Sequence, residues 1–140
     1  MYKKLLSLWE NRRATDISDE FIYRLRQINT GMLTPGNLLC FQHAITHLPS
    51  NNPILEIGSF CGLSTNSIAY YLRMHALENQ FITIDKWDYS FKGIAEKQLG
   101  SSNITGNEWG QFARETFIRN IQFFSRDRAP IAIEAAIPAR

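Results

Sequence analysis

An acidic residue stands beside a glycine-containing loop in the segment PILEIGSFCGLST, which covers residues 53–65. Its apolar run contains Glu56, and Gly58 and Gly62 follow with three residues between them. Glycines let a backbone approach a ligand closely, and a nearby carboxylate discriminates among ligands by their charge. The segment therefore predicts a binding loop whose acid helps to select the ligand.

Two phosphate-binding loops resemble this segment superficially, and neither fits it. A P-loop has four residues between its glycines and then Lys and Ser or Thr, whereas here Leu63 follows Gly62. A dinucleotide fingerprint reads G-x-G-x-x-G, and residue 60 is a phenylalanine. Glu56 would also repel a phosphate by on the order of 1 kcal/mol in a partly buried site. A nicotinamide dinucleotide is therefore a disfavoured ligand.

A cationic ligand suits the loop better. S-adenosylmethionine carries a positive sulfonium and a positive ammonium, has no phosphate, and has a carboxylate that helix-start amides can bind. Gly58 would let the ligand lie on the backbone, and Gly62 would allow close helix packing. Asp85 ends the next apolar run, where α/β folds place a carboxylate for ribose hydroxyls. Trp87, two residues later, is expected either to pack in the core or to line the pocket and cover the adenine. Nicotinamide cofactors also contain ribose, so Asp85 alone does not discriminate between the two.

Hydrophobic periodicity predicts the elements that position these residues. Three short apolar runs are typical of buried strands, at residues 54–57, 81–85 and 131–135. Helical spacing appears at residues 1–30, 37–48 and 63–77, and in the segment that a Thr105–Glu108 capping box opens. Alternating strands and helices predict right-handed crossovers and a parallel sheet, with ligands at the carboxyl ends of the strands. Glu134 is also expected near those ends.

The motifs ILEIGSFCGLST and FITIDKW resemble the first two motifs of class I S-adenosylmethionine-dependent methyltransferases. The likeness is greatest to the branch whose first motif reads acid-x-Gly-x-x-x-Gly-x-Ser-Thr, which includes macrocin O-methyltransferase-like and cephalosporin-hydroxylase-like proteins. The letters GNL at residues 36–38 also fit that branch. The resemblance covers roughly residues 36–136 and implies methyl transfer, with oxygen of a small molecule as the favoured acceptor.

The loop and the resemblance together predict a set of cofactor-binding residues. Those expected around the methionine moiety are Glu56, Gly58, Ser59, Gly62, Ser64 and Thr65. Asp85 is implied at the ribose, Trp87 is expected over the adenine, and Glu134 is implied at or near the adenine. The family's acceptor-facing and metal-binding acids follow its fourth strand, so no catalytic base and no metal ligand is nominated.

The resemblance also implies an incomplete sheet. The family has seven strands in the order 3-2-1-4-5-7-6, and this chain supplies the first three. We therefore predict a Rossmann-like α/β domain over residues 36–140 with strand order 3-2-1, preceded by a helical segment over 1–35. The ILEI strand then forms an apolar edge, which tends to recruit other chains. We expect the chain to be a fragment of a longer protein or to complete its sheet as a homo-oligomer. A non-catalytic binding or assembly module is the alternative to an enzyme.

The composition is that of an ordinary globular domain. Of 140 residues, 44% are hydrophobic and 20% are charged. The net charge of +2, without a long basic run, predicts neither a nucleic-acid partner nor a membrane partner.

Cys40 and Cys61 do not suggest a disulfide framework, so we expect reduced thiols and a cytoplasmic protein. A packing role is favoured for Cys61, although a nearby helix start can lower a thiol pKa. His43 and His47 have a zinc-compatible spacing but are expected to be surface or core residues.

Overall fold

The computed structural model describes residues 19–89 and 98–135 of the chain. Within these ranges it contains four α-helices, one short 3₁₀ helix and three strands. In chain order they are α1 (Glu20–Ile28), α2 (Pro35–Thr46), β1 (Ile54–Ile57), α3 (Leu63–Met74), β2 (Phe81–Asp85), α4 (Gly106–Phe124), the 3₁₀ helix (Arg126–Arg128) and β3 (Ile131–Glu134). The alternation predicted from the sequence is therefore present from β1 onwards.

The strands form an open, all-parallel sheet in the order β1-β2-β3. Ile54 lies opposite Phe81 at the start of β1, and Asp85 lies opposite Glu134 at the end of β2. The predicted α/β class and parallel sheet are confirmed. Because all three strands run in the same direction, their carboxyl ends meet at one edge of the sheet, where ligands bind in folds of this type.

Side-chain caps explain where the helices begin. Thr105 and Glu108 form the predicted capping box: the Thr105 amide donates to the Glu108 carboxylate at 2.8 Å, and the Glu108 amide donates to the Thr105 hydroxyl at 3.2 Å. A second box, formed by Thr34 and Asn37, starts α2 with Pro35 as its first residue. This start lies two residues before the predicted Asn37, because proline is well suited to a first helical turn.

Only part of the predicted N-terminal helical segment can be compared with the structure. Helix α1 lies within the predicted range 1–30, and residues 1–18 lie outside the described residues. Asp19 caps α1 by accepting a hydrogen bond from the Ile22 amide at 3.1 Å. None of the helices in the described part of the chain is long and apolar enough to cross a membrane.

Two apolar clusters form the interior of the described part of the chain. The first joins α1, α2, α3 and β2, and its buried members include Ile22, Leu25, Leu38, Leu72 and Phe81. The second lies beside the glycine loop and contains Cys61, Trp87, Ala113, Phe117 and Ile121. Helix α4 supplies the last three of these residues, so its amphipathic spacing is explained by packing against the loop.

A buried polar network ties the helices to the loop. The side-chain amide of Asn66 on α3 donates to the side-chain oxygen Oδ1 of Asn29 at 2.7 Å. The side-chain amide of Asn29 in turn donates to the backbone carbonyl of Cys61 at 2.8 Å. The Ser125 hydroxyl donates to the side-chain oxygen Oδ1 of Asn66 at 2.6 Å, and the side-chain amide of Asn120 also donates to the backbone carbonyl of Cys61 at 2.8 Å. Polar groups in a low-dielectric interior are costly when unpaired, so this network strongly favours one arrangement of α1, α3, α4 and the loop.

The network predicts a large loss of stability when Asn66 is removed. In Asn66→Ala, the side-chain oxygen Oδ1 of Asn29 and the hydroxyl of Ser125 each lose a buried hydrogen-bond partner. We expect the free energy of unfolding to fall by about 2–4 kcal/mol in urea titrations. The control Asn107→Ala replaces an exposed asparagine on α4 and should change stability by less than about 0.5 kcal/mol. Similar losses in the two variants would contradict the role of the network.

Candidate functional site

The glycine loop connects the carboxyl end of β1 to the start of α3. The Gly58 amide donates to the Ile84 carbonyl at 2.8 Å, so the loop begins beside the carboxyl end of β2. Gly58, Phe60 and Gly62 have positive φ angles of 87°, 48° and 93°. Left-handed backbone favours glycine and is uncommon for a phenylalanine. The loop is therefore a sharp turn, and its peptide amides face β2.

The Asp85 carboxylate binds the amides of this turn. One of its oxygens accepts hydrogen bonds from the Ser59 amide at 2.7 Å and the Phe60 amide at 2.8 Å, and the other accepts from the Trp87 amide at 2.8 Å. A carboxylate can accept about four hydrogen bonds. Asp85 thus joins the two strand ends, and the described residues leave one acceptor position on the oxygen that binds Trp87.

Glu56 points to the same side of the sheet as Thr83, its register partner on β2. Its Oε2 accepts from the Thr65 hydroxyl at 2.5 Å and from the Thr83 hydroxyl at 2.8 Å. Its Oε1 is buried and has no hydrogen-bond partner among the described residues. The site therefore contains a carboxylate oxygen that still needs a donor.

The environment of Glu56 opposes its ionisation. Burial is the main reason that its pKa is raised above the usual 4.5, and the negative charge of Asp85 raises it further. The neighbouring hydroxyl of Ser64 and the hydroxyls of Thr65 and Thr83, which donate to Oε2, act in the opposite direction and lower the pKa. A cation next to Oε1 would lower it as well, because it would stabilise the charged carboxylate.

The two loop glycines have different surroundings. A Cβ on Gly58 would meet no atom of the described residues within 4 Å, so these residues leave space beside the backbone there. A Cβ on Gly62 would lie 3.2 Å from a ring carbon of Phe117 on α4. Gly58 thus leaves room for a ligand beside the chain, whereas Gly62 permits close packing of the loop against α4.

Several predicted ligand residues point into the protein instead. The Trp87 indole is buried, packs against Phe117 with ring centroids 5.0 Å apart, and donates to the Phe60 carbonyl at 2.8 Å. Trp87 was expected to cover an adenine, but packing in the second cluster takes most of its surface. The Ser59 hydroxyl is hydrogen-bonded to the Thr83 hydroxyl, and Thr65 is fully buried. The side chains of Ser59 and Thr65 therefore support the site from within.

Glu134 lies at the end of β3, opposite Asp85 in the register of the sheet. Its exposed carboxylate accepts a hydrogen bond from Arg114 Nε at 2.8 Å. Both residues line an open concavity of about 500 Å³, together with Trp87, Gly110, Gln111 and Glu115. The structure thus places Glu134 at the predicted sheet edge, where it forms an ion pair with α4.

Two residues of the site had no role in the sequence prediction. Thr83 holds Glu56, and its signal was a single hydroxyl between Ile82 and Ile84, in a strand that is otherwise apolar up to Asp85. Phe60 donates its amide to Asp85 and accepts from Trp87 through its carbonyl. Both contacts of Phe60 use backbone atoms, so its side-chain type gave no signal.

The remaining candidate residues have structural surroundings. Burial, assisted by the charge of Asp85, raises the pKa of the Cys61 thiol to about 11, which is opposite to the shift that activates a nucleophile. His47 Nδ1 lies 2.8 Å from the His43 carbonyl at the end of α2, and both rings are exposed. In residues 19–89 and 98–135, no three His, Cys, Asp or Glu side chains group in a way that could hold a metal ion.

No protein-family model matches this chain, and no curated protein matches it either. Its function is therefore inferred from the geometry of the loop, Asp85 and Glu56.

Substitution of the two glycines should separate conformational cost from packing cost. Alanine at either position is strained by the positive φ, which costs about 1–2 kcal/mol of stability. Gly62→Ala also crowds Phe117 and should lose roughly 1 kcal/mol more than Gly58→Ala, as measured by urea unfolding. A smaller loss for Gly62→Ala than for Gly58→Ala would be inconsistent with the packing of the loop on α4.

The raised pKa of Glu56 predicts a specific pH dependence of stability. Between pH 4.5 and the raised pKa that Glu56 has in the folded protein, Glu56 binds more protons in the folded state than in the unfolded state. The contribution of Glu56 to stability should therefore fall as pH rises through this window. Glu56→Gln cannot ionise, so its stability should gain on that of the wild type as pH rises, in urea titrations between about pH 4 and about pH 9.

The matched control is Glu115→Gln, which changes an exposed glutamate on α4. Its stability difference from the wild type should vary much less with pH. If Glu56→Gln and Glu115→Gln showed the same pH dependence, Glu56 would not be the group responsible.

Proposed function

We propose that this chain binds S-adenosylmethionine at its glycine loop, as the cofactor-binding part of a class I methyltransferase with a Rossmann-like sheet. In this proposal β1, β2 and β3 correspond to the first three strands of the order 3-2-1-4-5-7-6, and oxygen of a small molecule accepts the methyl group. The observation that carries the proposal is the contact between Asp85 and the loop amides of Ser59 and Phe60.

This contact determines which charge the loop favours. A phosphate at a glycine loop relies on free peptide amides and on a positive local field. Here a carboxylate already binds two amides, and a second carboxylate, Glu56, lies close enough to Asp85 for their charges to interact. The loop is therefore electronegative, which favours a ligand with a sulfonium and an ammonium over a dinucleotide.

The described residues also fit the shape and hydrogen bonding of this cofactor. Oε1 of Glu56 accepts no hydrogen bond from the described residues, and an ammonium would supply one. Gly58 faces open space, so a ligand can lie against the backbone there. Asp85 has one remaining acceptor position, which can receive a single ribose hydroxyl. A second hydroxyl would require one loop amide to release the carboxylate.

The proposed binding set is consequently smaller than the predicted one. Glu56, Gly58 and Asp85 would contact the cofactor directly. Thr65 and Thr83 would fix the Glu56 carboxylate through their hydroxyls, and Gly62 and Trp87 would maintain the shape of the loop through packing. Glu134 would influence the adenine side of the site together with Arg114.

When bound, the cofactor supplies an electrophilic methyl group on its sulfonium. Transfer by in-line displacement depends mainly on the alignment of the acceptor with that methyl, which requires a firmly held adenosyl group. In this proposal both carboxylates bind the cofactor, and no described residue is assigned the removal of a proton from the acceptor. This observation also favours the second candidate function, a module that holds the cofactor without transferring the methyl group.

Calorimetric titration tests the binding proposal. We expect S-adenosylmethionine and S-adenosylhomocysteine to bind and NAD not to bind. Tighter binding of NAD would refute the proposal. S-adenosylmethionine affinity should also increase with pH as Glu56 ionises, and this increase should be absent in Glu56→Gln.

The role of Asp85 requires a thermodynamic cycle, because Asp85 also holds the loop. We expect the wild type to bind S-adenosylhomocysteine roughly 10–100-fold more tightly than an analogue without ribose hydroxyls, as for a hydrogen bond to a charged group. Asp85→Ala should lose this discrimination, whereas a disturbed loop alone would weaken the binding of both ligands equally. Undiminished discrimination in Asp85→Ala would remove Asp85 from the ribose site.

A further inference from the structure

One face of the sheet is formed entirely by aliphatic side chains. The register places Leu55, Ile82 and Ile131 in one row across the three strands, and Ile57, Ile84 and Ile133 in the next. Alternate residues of a strand point to the same side, so the six side chains share one face. We call this set, which is Leu55, Ile57, Ile82, Ile84, Ile131 and Ile133, the aliphatic face.

The aliphatic face is open to solvent. Its four outer members are substantially exposed: Leu55 by 55%, Ile57 by 62%, Ile131 by 49% and Ile133 by 40%. Ile82 and Ile84 on the central strand are partly exposed. On the opposite face, Phe81 and Thr83 of β2 are buried under the helices, whereas Ala132 and Glu134 of β3 are exposed. Right-handed crossovers in one direction place both connecting helices on the same side, which explains why no described helix covers the other side.

We propose that a second copy of this chain covers the aliphatic face, in a two-fold, sheet-on-sheet dimer. The face has no charged or hydrogen-bonding side chain, so it offers nothing to select a charged or polar partner. A surface of uniform aliphatic character can pack against a copy of itself, which is the requirement of a two-fold interface. This proposal does not depend on the cofactor.

The exposed area suits a dimer of modest affinity. The four outer side chains together expose roughly 400 Å² of apolar surface, the size of the largest apolar patches on monomers, which are often functional. In the dimer, these side chains of both copies would together bury about 800 Å² of accessible surface. The central isoleucines and the rim of the face would bring the total buried surface near the ~1,200 Å² lower limit of specific interfaces. We therefore expect a dimer that dissociates on dilution.

The face is a better interface than the edge of the sheet. The sequence suggested association through the apolar edge strand, which is β1 in the structure. Pairing of two β1 edges would satisfy backbone groups but would leave the aliphatic face in water. Because apolar burial is the main driving force of association, contact through the face removes the more unfavourable exposure.

Sedimentation velocity of the full chain over a wide concentration range tests the proposal. The wild type should change from monomer to dimer as concentration rises. Ile57→Lys on β1 and Ile133→Lys on β3 should each weaken dimerisation at least about tenfold, because a dimer would bury the lysine charge between two aliphatic faces. Both positions are exposed in the free chain, so folding, checked by circular dichroism and urea unfolding, should be retained.

The matched control is Phe123→Lys on α4, which removes an exposed apolar side chain away from the sheet. It should dimerise like the wild type. A dimer weakened by Ile57→Lys but unaffected by Ile133→Lys would indicate pairing through the β1 edge and would overturn the proposal. A wild type that stays monomeric at every concentration, or a dimer that survives both lysines, would overturn it as well.

Discussion

The contact between Asp85 and the loop amides is the constraint on which the site depends. Left-handed backbone at Gly58, Phe60 and Gly62 turns the chain sharply after β1 and directs successive amides towards β2. Those amides need an acceptor, and Asp85 provides it from the end of the neighbouring strand. The same carboxylate binds the Trp87 amide, so the positions of both strand ends and of the second apolar cluster are linked.

Local signals account for the parts of the fold that the sequence predicts well. The strands β1 and β2 have the bounds expected from their apolar runs, and the α4 capping box lies within four adjacent residues. The buried asparagine network had no comparable signal. Asn29 and Asn66 are 37 residues apart, and Asn66 and Ser125 are 59 apart. Periodicity reports which side of an element is apolar, but not which distant polar groups will meet.

The site shows a similar division between what residue types reveal and what they do not. The acids and glycines near the strand ends could be found because charge and backbone freedom are properties of single residues. The partner of each group could not be found, because it depends on which donor lies nearest after folding. Asp85 binds protein amides, and the Trp87 indole is committed to the interior. Each contact removes a group that an isolated motif offers to a ligand.

The proposed cofactor site and the aliphatic face share the strands β1 and β2. Along β1, Glu56 points to the helix-covered side, while Leu55 and Ile57 point to the other; along β2, Thr83 alternates with Ile82 and Ile84 in the same way. Because both sets of side chains belong to one backbone, a shift of the strand moves the side chains on both faces of the sheet together. A second copy packed on the aliphatic face would therefore restrain the backbone that carries Glu56 and Thr83. The spacing between the Glu56 carboxylate and the loop would then depend on the packing on both sides of the sheet.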